Sequence, residues 1–322
     1  MFFTLDNIHF NSGDILKIKP ECAVCITRQV VDAVKEITSD EKERFKLIHE
    51  GMKKINEVYG EFIVPAFMGT SVHRHLKAVS YNNDPYKNLK ESANEFAIKY
   101  LKEEEALLED IDPLKRLKNK IKLSIAGNVI DFGPYGTDID VTEKVKNTVS
   151  GTLKIDFSSE LFDDLKKSKQ IFYICDNAGE IIFDRVLIEE LKKYVNVVVS
   201  VKGMPILNDA TYNDAVIAGI DKITRVITSG TDVIGTKFEE SSSEFIEEFN
   251  KSDIIIAKGM GNYESLTEYE ENPVFLNDKE NKTPKLKVPI YYIFKAKCPP
   301  IAKNVGVNEG DNILLKKSIS KV

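Results

Sequence analysis

Two short runs hold the residue types that could do chemistry. Asp176-Asn177-Ala178-Gly179-Glu180 sets a carboxylate beside an amide, with a second carboxylate just beyond. Lys202-Gly203-Met204-Pro205-Ile206-Leu207-Asn208-Asp209 ends on another amide and carboxylate. Asp176, Asn177 and Asp209 offer hard oxygen donors, which suit Mg²⁺ or Mn²⁺ rather than a soft metal. Three protein ligands on an octahedral ion leave positions for water and a substrate oxygen. A metal so placed can polarise a phosphoryl oxygen and lower the pKa of bound water. Ala178-Gly179 opens a helix, whose free N–H groups and positive dipole end favour an anion. Lys258, Lys295 or Lys297 would add positive charge against a phosphate. Together these features describe a phosphate site.

Each has a plainer alternative. Asp and Asn after a strand are often helix caps, and this applies to Asp176-Asn177 and to Asn208-Asp209. Lys202-Gly203 and Lys258-Gly259 also suit simple turns. Gly259-Met260-Gly261 lacks the third glycine and the following helix of a dinucleotide loop, so its signal is weak. Cys22-Ala23-Val24-Cys25 is half a zinc site, which Cys298 or His73 could complete. A redox role would need a thiol lowered by the helix start, and two buried small residues fit as well. Cys175 falls in a buried strand. His73 and His75 have no Ser-His-Asp or Cys-His partners in the sequence, which gives no support to acyl chemistry.

The elements that must position these residues follow from periodicity. Before about residue 120 apolar residues recur at helical spacing in Cys22–Thr38, Asp40–Tyr59, Tyr86–Leu108 and Pro113–Ala126. After residue 150 short β-branched runs appear at Gln170–Cys175, Val195–Val201, Arg225–Thr228, Asp253–Ala257 and Val288–Phe294. They are continuous rather than alternating, as strands buried on both faces are. Amphipathic stretches lie between them at Glu180–Tyr194, Asp209–Ala218 and Ser241–Lys251. This alternation predicts βαβ units in a Rossmann-like, three-layer α/β/α fold with a parallel sheet. A helical subdomain over 1–120 and a metal-binding catalytic domain over 121–322 are expected. The polar runs above, with Ser229-Gly230-Thr231-Asp232 and Lys295-Ala296-Lys297-Cys298, all follow strands. Ligands bind at such carboxyl ends in open α/β sheets.

Composition sets the outer limits. The chain has 322 residues, enough for a large core without staples. A net charge of −6 argues against a nucleic-acid binder. No apolar run is long enough to span a bilayer, and the first residues lack a basic n-region. A cytoplasmic protein with no membrane partner is expected. Four cysteines in a chain of this length make no disulfide framework.

Several motifs together resemble the DUF89 family, the metal-dependent damage-control phosphatases. They are Asp176 to Asp184, Lys202 to Thr211, the early Cys22 and Cys25 pair, Asp84-Pro85-Tyr86 with Lys90 and Asn94, Gly127-Asn128-Val129-Ile130-Asp131-Phe132-Gly133, Lys258-Gly259-Met260-Gly261-Asn262-Tyr263-Glu264, and Lys295 to Cys298. They run in order along nearly the whole chain. The resemblance implies hydrolysis of phosphate monoesters of small metabolites, such as sugar phosphates or damaged phosphometabolites, with a divalent cation. Mg²⁺ or Mn²⁺ leads, with Co²⁺ or Ni²⁺ as further candidates. It maps the metal ligands onto Asp176, Asn177 and Asp209, and the phosphate-contacting lysine onto Lys295, with Lys297 two residues on. It implies that Asn128, Asp131, Gly179, Glu180, Lys258, Asn262 and Lys297 line the substrate pocket.

Two mechanisms remain open from the sequence. A metal-oriented water attacks phosphorus in line, or Asp176 or Asp209 attacks directly. Two other classes also stand: a methyltransferase using S-adenosylmethionine, drawing on Gly259-Met260-Gly261, and a non-catalytic metal- or metabolite-binding module.

Overall fold

The protein is described by a computed structural model covering residues 16–104, 110–128, 138–271 and 288–317. Asp131, expected in the substrate pocket, lies outside these residues. One sheet organises the chain. Its strands are β1 (Leu153–Asp156), β2 (Gln170–Ile174), β3 (Asn196–Val201), β4 (Arg225–Thr228), β5 (Ile254–Lys258), β6 (Ile290–Lys295) and β7 (Asn312–Lys317). Their order is β1-β7-β6-β5-β2-β3-β4. The five strands anticipated from apolar runs form the parallel centre. β5 is buried at every position. Side chains alternate across the sheet, so Ile171 and Tyr173 enter one layer while Phe172 and Ile174 enter the other.

The sheet is mostly parallel, in keeping with the expectation from sequence, with one antiparallel pair. β7 runs antiparallel to β6, and β1 pairs parallel with β7. Both lie at one side of the sheet, where their few apolar residues give no periodicity that separates strand from loop.

Helices cover both faces. On one lie α4 (Lys87–Glu104), α5 (Pro113–Gly127), α6 (Asp138–Ser150), α7 (Ser158–Leu165), α8 (Glu180–Leu191) and α9 (Tyr212–Ala218). On the other lie α10 (Ser243–Lys251), α11 (Gly259–Glu271) and α12 (Pro299–Val305). This is the expected three-layer arrangement. Phe172 shows how the second layer is sealed, with its ring 5.0 Å from Phe245 and 6.3 Å from Phe249. No helix among the described residues is long and apolar enough to cross a membrane.

The N-terminal helices α1 (Cys22–Ile37), α2 (Glu41–Val58) and α3 (Pro65–Ser80) share a separate apolar cluster that includes Val30, Leu47, Met68 and Val72. α4 and α5 instead bury Ala93, Ala97, Leu117 and Ile121 in the sheet's own layer. Residue 120 therefore lies inside a helix of the sandwich. α3 is not legible in the sequence because Gly69, Thr70, Ser71 and His73 interrupt its apolar stripe. Pro65 at its first turn is the available signal. α3 also ties the helical trio to the sheet's loops: Lys77 donates to Asp232 and to the Pro205 carbonyl, both at 2.7 Å, and Arg74 donates to Asp232 at 2.8 Å.

The strand order reverses between β2 and β5. β3 and β4 extend to one side, and β5 and β6 to the other. That switch point opens a crevice at the carboxyl ends of β2 and β5, where Asp176 and Lys258 fall.

Candidate active site

Backbone pairing brings the two chemical runs together. The segment after β3 returns beside the segment after β2, and Asn177 faces Asp209 in an isolated antiparallel bridge. The Ala210 N–H donates to the Asp176 carbonyl at 2.8 Å, and the Ala178 N–H to the Asn208 carbonyl at 2.9 Å. Asp176, Asn177 and Asp209 thus share one short stretch of paired backbone. None of them is used as a helix cap. Gly179, at φ 74°, is the N-cap of α8, with no side-chain cap bond. α9 is capped by Thr211, whose N–H and hydroxyl donate to Asp214 at 2.8 and 2.7 Å.

The charges here are poorly compensated. Burial, then the Glu180 and Asp209 carboxylates, push the Asp176 carboxyl well above the usual range, while Lys202 and Lys297 pull against them. Burial also raises Asp209, to about 6, against the opposing charge of Lys202 and Lys90. Asp209 Oδ2 is buried without a hydrogen-bond partner. The cation facing it, Lys202 Nζ, stands 3.4 Å away and is already bonded to the Val233 and Gly235 carbonyls at 2.7 and 2.6 Å. A hard divalent cation fits this place, since it would relieve an unpartnered buried oxygen and two like charges at once. Among the described residues no three His, Cys, Asp or Glu side chains converge on a metal. The donor set here is two carboxylates and an amide.

Several residues expected to touch substrate are engaged with other protein groups in this structure. Lys258 is fully buried, and its three N–H groups go to Glu180 Oε1 at 2.6 Å, Asp184 Oδ1 at 2.7 Å and the Ser124 carbonyl at 3.2 Å. An ammonium has no fourth donor for a phosphate. Asn262 is also fully buried. Its amide donates to the Lys258 and Cys175 carbonyls and accepts from Thr236 Oγ1 at 2.9 Å, which fixes the backbone just before Asp176. The Gly179 N–H at the start of α8 is taken by Asn94 Oδ1 at 2.7 Å, so that group is not free for an anion. Asn128 ends α5 and donates to Asp176 Oδ2 at 3.1 Å and Glu180 Oε2 at 2.6 Å. Gly127 permits this approach, because a Cβ there would come 2.8 Å from Glu180 Cα.

The two candidate phosphate lysines separate cleanly. Lys295 turns toward α6 and β7, 3.4 Å from Thr148 Oγ1 and 3.1 Å from Asn312 Oδ1, and burial followed by the charge of Lys297 lowers its pKa. Lys297 is exposed, and its charge acts on Asp176. Lys90, reaching in from α4, is a buried cation to which residue type alone assigns no role. It bonds Asp84 at 2.8 Å and its charge bears on Asp209. Asp184 is a further residue that the sequence reading misses. A second acid one turn beyond Glu180, with only Ile181, Ile182 and Phe183 between them, is the signal for a buried charge network.

Gly259-Met260-Gly261 does open a helix, α11, contrary to expectation. Its first glycine, at φ 78°, serves Asp176: a side chain at Gly259 would overlap the Asp176 carboxylate. Close approach of a protein carboxylate, rather than of a nucleotide, accounts for that glycine. All four cysteines are free. Cys22 is half-buried and burial raises its thiol; Cys298 is pushed up to about 11, again by burial first. At Cys22 the helix start does not offset burial. His73 is buried, which lowers it to about 4, and its ring packs edge-on against Tyr86.

Comparison with known proteins agrees with this arrangement. The damage-control phosphatase ARMT1-like domain matches residues 18–313. An uncharacterized protein of Methanocaldococcus jannaschii is 58% identical over 95% of this chain and 97% of its own length. A damage-control phosphatase of Pyrococcus horikoshii is 34% identical over 94% of this chain and 98% of its own length. A damage-control phosphatase of Archaeoglobus fulgidus is 33% identical over 92% and 98%. A crystal structure of a DUF89 family protein from Pyrococcus horikoshii superposes with a TM-score of 0.80 at 33% identity, covering 94% of this chain and 99% of that one. The chain therefore belongs to the damage-control phosphatase ARMT1-like, or DUF89, family.

Proposed function

We propose that this protein is a metal-dependent phosphatase acting on phosphate monoesters of small metabolites, such as sugar phosphates or damaged phosphometabolites. The observation that carries the reading is the backbone bridge that sets Asp176, Asn177 and Asp209 side by side at the switch point of the sheet. These three residues hold the cation, Mg²⁺ or Mn²⁺ by the hardness of the donors, with Co²⁺ or Ni²⁺ as substitutes. When bound, it supplies charge neutralisation at the phosphoryl oxygens and a more acidic water.

The chain's own residues do the rest. Lys297 meets the phosphate at the mouth of the site and Lys90 adds charge from the helical side, so transfer proceeds by positioning and electrostatics. Lys202 holds the loop that carries Asp209. Lys258, Asn262 and Gly259 hold Asp176 and Glu180 in register. Attack is by water. Incorporation of ¹⁸O from labelled water into an Asp side chain in a single turnover would overturn that step in favour of an aspartyl phosphate. The names of the relatives support the phosphatase class. The acidic net charge and the absence of a spanning helix among the described residues suit a small-molecule substrate in the cytoplasm.

The deciding experiment measures phosphate release from a panel of sugar phosphates and p-nitrophenyl phosphate. It uses metal-stripped protein, with and without each cation, beside Asp209→Asn. Release that depends on metal and falls at least about 100-fold in the variant is expected from loss of a ligand. Absence of release by folded, metal-loaded wild type would refute the phosphatase.

A further inference from the structure

We propose that Glu180 is a positioning residue that orients the side-chain amide of Asn177, and that Lys258 exists to hold Glu180 in that task. The inference rests on the proposed metal site and gives it a further part. An Asn side chain presents either an oxygen or an NH₂ group, nearly identical in shape, so its neighbours decide which end faces a cation. Asn177 Nδ2 lies 2.8 Å from Asp176 Oδ2 and 3.2 Å from Glu180 Oε2. Ionised carboxylates only accept. With the amide reversed, its oxygen would face two carboxylate oxygens. Asn177 Oδ1 is therefore the end left free of those carboxylates, and among the described residues it takes no hydrogen bond.

The same two acceptors orient a second amide, since Asn128 Nδ2 donates to Asp176 Oδ2 and to Glu180 Oε2. Glu180 is thus the common acceptor of both asparagines, fully buried and unable to reach substrate through the atoms that do this work. Its other oxygen is bound to Lys258 at 2.6 Å, and Lys258 is anchored in turn by Asp184 and the Ser124 carbonyl. Asp184 Oδ1 also accepts from Ser124 at 2.6 Å and Tyr173 at 2.8 Å. A chain of bonds runs from the sheet core through Lys258 and Glu180 to the amide. Partners of this kind, one bond behind the ligands, typically affect metal affinity by about 10–100-fold.

The test is Mn²⁺ binding, by calorimetry and by the electron paramagnetic resonance of the bound ion, with thermal unfolding of each metal-free variant as a control. Glu180→Asp keeps the charge but withdraws the acceptor by one methylene. Glu180→Gln keeps the shape but must turn an NH₂ group toward either Lys258 or the two asparagines. Both are expected to weaken Mn²⁺ binding by about 10-fold or more. In ¹⁵N-labelled wild type the Asn177 amide protons, held by the Asp176 and Glu180 carboxylates, should exchange with solvent more slowly than those of an exposed asparagine. Wild-type affinity in Glu180→Asp would overturn the orienting role and leave the metal site standing. The amide measurement decides the matter if the variants do not fold; exchange as fast as that of an exposed asparagine overturns the proposal. Failure of the wild type itself to bind Mn²⁺ would remove the metal site and this inference together.

Discussion

Lys295 and Lys297 stand two positions apart but have different surroundings. Lys295 is the last residue of β6, and strand alternation sends it to the face where Thr148 and Asn312 wait. Lys297 lies past the strand end, where its side chain is exposed and its charge reaches Asp176. Replacing Lys297 by Ala should lower kcat/KM for a phosphate monoester by about 100-fold, the usual cost of one donor to a developing oxyanion. Lys295→Ala should change it by less than about threefold, since it removes hydrogen bonds remote from the reacting atoms. Steady-state kinetics on the two variants decides between them. The sequence narrowed the choice to this pair. It could not separate them, because the separation depends on where β6 stops.

At the scale of elements, the site is a meeting of two turns and one helix start. The turn after β2 and the loop after β3 pair through backbone bonds, and α11 begins directly against the Asp176 carboxylate. Gly259→Ala tests that contact. Its φ of 78° costs a residue with a side chain about 1–3 kcal/mol, and the added methyl must displace Asp176. Urea unfolding should show a loss of this size, and metal-dependent release should fall with it. Unchanged release would mean that Asp176 does not need the place it occupies here. The five central strands and most helices were legible, because β-branched runs and amphipathic spacing report local structure. α3, α6, α7, α12, β1 and β7 were not. Their residues become apolar faces only against neighbours distant in sequence. The start of α11 was missed because its glycines suggested a turn, whereas the chain uses them to bring a helix close to a carboxylate.

At the scale of the whole molecule, buried acids joined to bases link the layers and make the fold sensitive to low pH. Glu190 on α8 is the clearest case. Burial would raise its carboxyl, but hydrogen bonds from Arg116, Lys193 and Lys120 outweigh this and hold it at about 2. Two of those bases sit on α5, so the cluster fastens α5 to α8. Asp232, which locks α3 to the sheet loops, is likewise held below the usual range despite burial, by Arg74 and Lys77. A carboxyl depressed on folding stabilises fully above its unfolded pKa, near 4.5 for Glu190. That stabilisation is lost as pH falls through the folded value. The protein should lose stability progressively between about pH 4.5 and pH 2. Glu190→Gln should cost about 2 kcal/mol at pH 7 and flatten part of that slope. Denaturant titrations at pH 7 and pH 3 on both proteins measure it. An equal slope in the variant would place the acid sensitivity in other groups.

From the chain alone follow the α/β class, the five central strands, the polar runs at their ends and the candidate ligands Asp176, Asn177 and Asp209. All of these depend on local periodicity or on residue type. The tertiary structure decided which polar residues face the crevice and which are buried behind it. Glu180, Lys258 and Asn262 have the same chemistry as substrate-binding groups in the sequence. Only their burial and their full sets of partners distinguish them, and burial is set by residues far away along the chain.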